Sequence, residues 1–440
     1  MKKIKLKYIN WFIGVIVAVQ ILSRGLVLNP DSIGYIDAQP IRSAGYPLII
    51  LFFKMFFGKL ALNVLSVFQL FLLVFSIHYF LNFLRDKFKL TDFVVLLLSF
   101  VFYFFLYQMG NEISSEPLSL VLYLFSIKFL LESILENKKR SLYFFYALLF
   151  LLVLIRAQFY FLYPVIFFVV LFLFYRNRNW KLFFRNIAVL LIVIAATNLA
   201  DKSYHYFKHG RFMGTPYTGL QIVTDALYIS KPGDSILFND TFDRKMFNEV
   251  YSNIYEQGLI LESLEEQNPS VTMAQIIMHY NDSYNEICHR NTKVIIGSKF
   301  DNPGSIIYWE NIDKATLNIS KKIILRHPVE FLKLYVYDIL RNGFISNIFF
   351  VFFVITFLHS LVVLIIYPKN KVYFFLVLSS LILLSNFFLV ALVEPILDRY
   401  SIYGYIVYFV SLFILISNGH FFNEKKDTEN SLLKEKKVKN

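Results

Sequence analysis

Tyr46-Pro-Leu-Ile-Ile-Leu-Phe-Phe-Lys-Met-Phe-Phe57 is the stretch on which the fold turns. As a helix it would cover about 18 Å, well short of the roughly 30 Å hydrocarbon core of a bilayer. The basic clusters agree that it does not cross. The N-terminal lysines, Arg85/Lys87/Lys89, Lys138/Lys139/Arg140, Arg176/Arg178/Lys181, Lys369/Lys371 and the Lys-rich tail after Asn423 fall on one side only if this stretch is not a span. Counting it would place every later cluster outside, against the positive-inside bias. It is therefore read as a juxtamembrane helix lying flat at the outer interface, within an external loop covering residues 27–59.

Around it stand ten runs read as spans: Tyr8–Leu26, Leu60–Leu84, Asp92–Tyr107, Pro117–Leu135, Leu142–Ile155, Phe159–Tyr175, Phe183–Leu199, Phe344–Tyr367, Val372–Val393 and Ser401–Ser417. The fold class expected is an all-α polytopic membrane protein with about ten transmembrane helices. Seven lie in an N-terminal module, residues 1–200, and three in a C-terminal module, residues 344–418. Residues 419–440 form a basic tail. Both termini are expected in the cytoplasm of a cell (inner) membrane. The start, Met1-Lys-Lys-Ile-Lys5, runs into apolar residues without a small-x-small cleavage site and reads as an uncleaved first span.

Of 440 residues 57% are hydrophobic and only 17% charged, which excludes an ordinary soluble globule. The net charge of +13 does not point to nucleic acid. Between Asp201 and Phe344 acids slightly outnumber bases, 17 to 15, so the excess positive charge sits in short loops and tails. This segment, residues 201–343, carries Gly-Thr-Pro, Lys-Pro-Gly-Asp and Asn-Pro-Ser turns and helical periodicity. A small, mainly helical extracytoplasmic domain is expected there. Cys288 is the single cysteine, so no internal disulfide forms. His205 and His209 share a helix face, but no third ligand accompanies them, so no metal residues are assigned.

Chemistry concentrates in the short external loops. The first, Asn29-Pro-Asp-Ser-Ile-Gly-Tyr-Ile-Asp37 with Ile41-Arg-Ser-Ala-Gly-Tyr-Pro47, offers Asp31 and Asp37 as proton acceptors and Arg42 as a phosphate fork. A plainer reading makes Asp31 a helix cap after Pro30. The second loop carries Glu112 and Glu116, the latter equally at home in the first turn of a helix capped by Ser114 or Ser115. Arg156, between two spans on the side poor in positive charge, is either a phosphate partner or a snorkelling anchor. The last loop ends Glu394-Pro-Ile-Leu-Asp398-Arg399-Tyr400, where Arg399 either serves the site or pairs locally with Asp398 or Glu394.

In order, these elements resemble the GT-C class of membrane glycosyltransferases, which includes the protein O-mannosyltransferases and the lipid A aminoarabinose transferases. The matching pieces are Pro30-Asp31-Ser32, Tyr35, Arg42-Ser-Ala-Gly45-Tyr46-Pro47, Ser115-Glu116-Pro117, Ile155-Arg156, His327-Pro328 and Asp398-Arg399-Tyr400. They cover most of the membrane part but not residues 201–343. Ser32 stands where the mannosyltransferases carry a second acid, and no Trp-Trp-Asp element is present, which argues against en bloc oligosaccharide transfer. The resemblance implies a GT-C-like arrangement of the spans. It also implies an inverting transferase using a polyprenyl-phosphate sugar at the outer membrane face and a glycan, lipid or protein acceptor. Asp31 would be the catalytic residue that orients and deprotonates the acceptor hydroxyl, and Arg42, Arg399 and Arg156 would hold the donor phosphate. Asp37, Tyr46, Glu112, Glu116 and Tyr400 would shape the site. No cofactor is required, although a divalent metal is compatible. Two other classes remain open. A transporter or lipid flippase would show charges within its spans and internal repeats, and a polysaccharide polymerase would show processive growth of product.

Overall fold

The structure is a computed structural model that describes residues 6–344 and 346–418. Met1–Lys5 and the tail expected at residues 419–440 lie outside the described residues. The chain is all-helical: among the described residues no strand occurs beyond a single bridge between Val27 and Glu112.

The N-terminal half contains α1 (Leu6–Ser23), α2 (Pro30–Ile36), α3 (Gly45–Phe57), α4 (Ala61–Phe88), α5 (Asp92–Met109), α6 (Ser115–Leu135), α7 (Lys139–Ile155), α8 (Leu162–Asn177) and α9 (Trp180–His209). A cluster of shorter helices follows: α10 (Thr218–Tyr228), α11 (Thr241–Glu256), α12 (Leu261–Gln267), α13 (Met273–Asn285), α14 (Lys293–Gly297), α15 (Ile306–Arg326) and α16 (Pro328–Asp338). The chain closes with α17 (Asn347–Ile366), α18 (Lys371–Val390) and α19 (Asp398–Ser417).

Among the described residues, seven helical stretches are long and apolar enough to cross a membrane: Gly45–Phe88, α6, Ala157–Asn177, α9, α17, α18 and α19. Apolar side chains face outward as well as inward. On α17, Ile348, Val351, Ile355, Leu358, Val362 and Ile365 recur every three to four residues along an exposed stripe. A water-soluble helix would place polar residues there; an apolar outer face suits lipid.

The stretch Gly45–Phe88 is predominantly apolar but is not one rod. Gly58 adopts φ +50°, a left-handed backbone that glycine enters without a Cβ penalty, and the chain reverses through Gly58–Leu60. Gln69 Nε2 then donates to the Tyr46 hydroxyl at 3.0 Å. In a continuous helix these residues would be about 34 Å apart, so α3 is folded back along α4. Tyr46, Ile50 and Phe53 pack with Leu65, Leu118 and Ile155 in a small core of their own.

The main core joins α1, α4–α9 and α17–α19. The Tyr123 hydroxyl of α6 donates to the Tyr403 carbonyl of α19 at 2.8 Å, and Ser385 of α18 donates to the Phe161 carbonyl at 2.7 Å. The two ends of the sequence are thus one bundle. The helices α10–α16 keep a separate core around Val223, Phe247, Ile287, Trp309 and Ile319. The boundary expected at Asp201 is not a break. The apolar run ends near Leu199, but no helix breaker follows until Gly210 at φ +76°, so α9 carries Asp201 and His205 outward on a continuous rod.

Candidate functional site

The first loop folds through its own polar residues. Asn29, not Asp31, caps α2: its Oδ1 accepts the Ser32 N–H at 2.9 Å, and Ser32 Oγ accepts the Asn29 N–H at 2.9 Å. That capping box replaces the expected cap at Asp31, whose carboxylate is left to turn elsewhere. It receives Arg42 Nη2 at 2.8 Å and faces Arg399 Nη1 at 3.6 Å. Residues 31 and 399 belong to opposite ends of the chain. Arg399 therefore reaches across to α2 rather than forming the local pair with Asp398 or Glu394 that its sequence neighbours suggest. Arg42 lies over the Tyr35 ring, 4.7 Å from its centroid, in the space that Gly34 leaves open.

A second ion pair stands beside the first. Arg156 Nη1 meets Glu116 Oε1 at 2.7 Å, with only 11% and 13% of the two side chains exposed. The guanidinium also donates to Ser115 Oγ at 3.1 Å and Gln158 Oε1 at 2.9 Å. Gln158 in turn donates to Asn386 Oδ1 and to the Tyr400 carbonyl, at 2.9 and 2.7 Å. The Tyr35 hydroxyl and Ser115 Oγ lie 3.1 Å apart, which connects the two pairs. Arg156 is thus held inside the protein and does not snorkel to a lipid interface.

These groups line one cavity of about 820 Å³, bounded by Asp31, Arg42, Glu116, Arg156, Arg399 and Tyr400. Four cations (Arg42, Arg156, Lys293 and Arg399) and four carboxyl groups (Asp31, Glu116, Asp201 and Glu394) line this concave space, and Arg399 and Asp31 keep about half and two-fifths of their side-chain surface accessible. Such a space fits a ligand carrying an anionic group and hydroxyls. The far wall comes from the helical cluster, through Tyr217, Asn281, His289 and Lys293.

Three other expected residues lie elsewhere. Asp37 is an exposed C-cap of α2. Tyr46 is fully buried against Gln69. Glu112 accepts from Asn29 Nδ2 at 3.2 Å outside the cavity wall, held beside the first loop by the Val27 bridge. His327 pairs with Asp234 at 2.9 Å within the helical cluster, a structural link at the start of α16. The His205 and His209 rings stack at 5.6 Å. Among the described residues no group of three or more His, Cys, Asp or Glu side chains is arranged to hold a metal ion.

Two acids have roles that local sequence hides. Asp201 Oδ1 accepts the Ala44 N–H at 3.0 Å, and its Oδ2 accepts the Thr215 N–H and hydroxyl at 3.1 and 3.2 Å. It ties the Arg42 loop to the strap leading into α10. Glu394 lines the cavity, and burial pushes its carboxyl up to about 7, with Arg399 pulling the other way. Its charged neighbours are Arg399, close in sequence, together with Arg156 and Asp31, which only the fold brings near.

Behind it, Asp338 accepts Asn342 Nδ2 at 2.6 Å and the Ile396 N–H at 3.3 Å, and burial pushes its carboxyl up to about 7. An ordinary aspartate sits near 4. The folded state therefore holds this proton more tightly than the unfolded chain does. That stabilisation is present below about pH 4 and is lost as pH rises to 7, by on the order of 3–4 kcal/mol at most. Asp338→Asn keeps an acceptor for Asn342 and Ile396. Thermal melting of the purified protein from pH 5 to pH 8 should fall less steeply in this variant than in the parent; identical slopes would exclude Asp338 as a source.

No protein-family model, curated protein or solved structure matches this chain.

Proposed function

We propose that this protein is a membrane glycosyltransferase of the GT-C kind, moving a sugar from a polyprenyl-phosphate donor to an acceptor hydroxyl at the outer membrane face. The observation that carries this reading is the meeting of Asp31, Arg42 and Arg399, from opposite ends of the chain, in one cavity. In this reading α1, α5 and α7 join the seven long apolar helices to make ten crossings, with α3 lying at the outer interface and both termini in the cytoplasm.

The ion pairs of the cavity suit a displacement. Asp31 divides its two oxygens between Arg42 and Arg399. A donor phosphate competes for both guanidinium groups, since a phosphate takes the same fork as a carboxylate. As it does so it releases Asp31 to the acceptor. The acceptor oxygen attacks the anomeric carbon from the face opposite the phosphate, and its proton passes to Asp31. The bond from the anomeric carbon to the phosphate oxygen breaks, and its electron pair leaves with the polyprenyl phosphate, held by the two arginines. Configuration inverts, and Asp31 returns its proton to water. Arg156 and Glu116 position Tyr35 and Tyr400 around this centre. Asp37, Tyr46 and Glu112, being outside the cavity, take no step.

Arg42→Ala tests the donor role. A lost charge-assisted hydrogen bond is worth about 1.5–3 kcal/mol, so the KM for donor should rise roughly 10- to 150-fold, with a smaller fall in kcat. Gly34→Ala should give a milder form of the same defect without unfolding. Its new Cβ would stand 2.6 Å from Arg42 Nε, the movable end of a side chain, and would push the guanidinium aside. Unchanged donor KM in both variants would remove Arg42 from the donor site. Movement of intact donor across a vesicle bilayer, without transfer, would favour a flippase instead.

A further inference from the structure

A second pocket, of about 490 Å³, opens where α6, α7 and α4 meet, and the proposed transfer reaction makes no use of it. Its centre is Lys128 on α6, 5% exposed although it lies on an apolar helix. The Lys128 ammonium pairs with Glu132 at 2.7 Å and stands 4.1 Å from the Phe129 ring centroid and 5.0 Å from that of Tyr79. Glu132 also receives Lys138 at 3.0 Å and the Ser141 hydroxyl at 2.9 Å. The neighbouring Glu136 is taken by Lys87 and Lys138.

Both carboxylates are therefore saturated, and positive charge is left over. Lys139 and Arg140 line the pocket and are exposed, and neither is ion-paired among the described residues. The first turn of α7 begins at the same place, since Lys138, Lys139, Arg140 and Ser141 all line the pocket, and Lys138 gives that helix no side-chain cap. Five cations surround two acids here: Lys87, Lys128, Lys138, Lys139 and Arg140 against Glu132 and Glu136.

Position selects the ligand. Lys128 and Glu132 lie 12 and 16 residues along α6 from Glu116, about 18 and 24 Å toward its other end. With α6 crossing a membrane, the pocket lies at the leaflet opposite the main cavity, where the basic clusters gather. Its rim carries Phe144 and Tyr79, both with substantial exposed ring surface. Aromatic groups at the mouth and cations at the floor match an amphiphile better than a free ion.

We propose that this pocket seats the phosphate of an anionic membrane lipid, with the lipid's chains lying along the Phe144 and Tyr79 rim. The site is independent of the transferase reading. The test uses the full chain purified in detergent, exposed to equimolar phosphatidylglycerol and phosphatidylcholine, with retained lipid read by native mass spectrometry. The parent should retain phosphatidylglycerol preferentially. The K138Q/K139Q/R140Q variant should lose that preference by about 30- to 150-fold, since each basic group near a membrane surface contributes about 1 kcal/mol. If the triple variant does not run as a folded species, Lys139→Gln alone, on an exposed side chain, should reduce it about 3- to 5-fold. Neutralising Arg176, Arg178 and Lys181 elsewhere should leave it intact. Equal retention of both lipids by the parent, equal loss in the control variant, or full displacement of phosphatidylglycerol by inorganic phosphate would each overturn the proposal.

Discussion

Asp31→Asn is expected to lower glycosyl transfer by about 10²- to 10⁴-fold, the range in which a positioned general base acts. The side chain keeps its size and one acceptor oxygen, so insertion, folding and elution behaviour should match the parent. Only the capacity to take a proton is lost. The variant should bind donor at least as well as the parent, because Asp31 no longer competes with the phosphate for Arg42 and Arg399. That pairing of intact or tighter binding with lost turnover distinguishes a catalytic carboxylate from an ion-pair anchor. An anchor would lose affinity and rate together.

Arg156→Ala should act first on stability. The Arg156–Glu116 pair is almost wholly enclosed, and removing one partner leaves the other charge buried and unpaired. Such a loss costs about 3–5 kcal/mol, and a fall in melting temperature of roughly 3–5 °C would follow for a chain of this size. The damage should spread, because Arg156 also orients Gln158, which holds the Tyr400 carbonyl and Asn386. Arg156→Met combined with Glu116→Gln removes both charges and should regain more than half of the lost stability. A single variant that melts with the parent would mean that the pair is hydrated and of little consequence to the fold.

The all-helical character was legible from apolar runs and the scarcity of charge, because a helix that faces lipid must be apolar along its length. The shortness of Tyr46–Phe57 marked it as distinct from the span that follows, but the reversal at Gly58 that separates the two helices was not legible, since a lone glycine in an apolar run is no turn signal by itself. Helix ends were less so. Polarity changes at Asp201, but the backbone continues to Gly210, since polarity marks a solvent boundary and only a breaker marks a helical one.

At the site, the residue types at 31, 42, 156 and 399 drew attention as polar groups beside spans, and the structure places all four around one cavity. Their pairing was not legible: Asp31 with Arg399 and Arg156 with Glu116 are contacts across sequence. Asp37 and Tyr46 share the first loop with Asp31, yet a seven-residue helix and a buried ring turn them away. Asp201 is not legible as a site-building residue, because its partners are the N–H groups and a hydroxyl of distant loops. Glu394 was noticed only as a neighbour of Arg399, since burial, which raises its carboxyl, comes from the packed assembly.

The fate of the donor is the most direct measure of the proposed reaction. Purified full-length protein is mixed with a polyprenyl-phosphate sugar labelled at its anomeric carbon and with a membrane extract as the source of acceptor. The account predicts labelled product of inverted anomeric configuration and free polyprenyl phosphate in equal amounts, with neither formed by Asp31→Asn. Donor that stays intact, or donor consumed equally by the parent and Asp31→Asn, would contradict it.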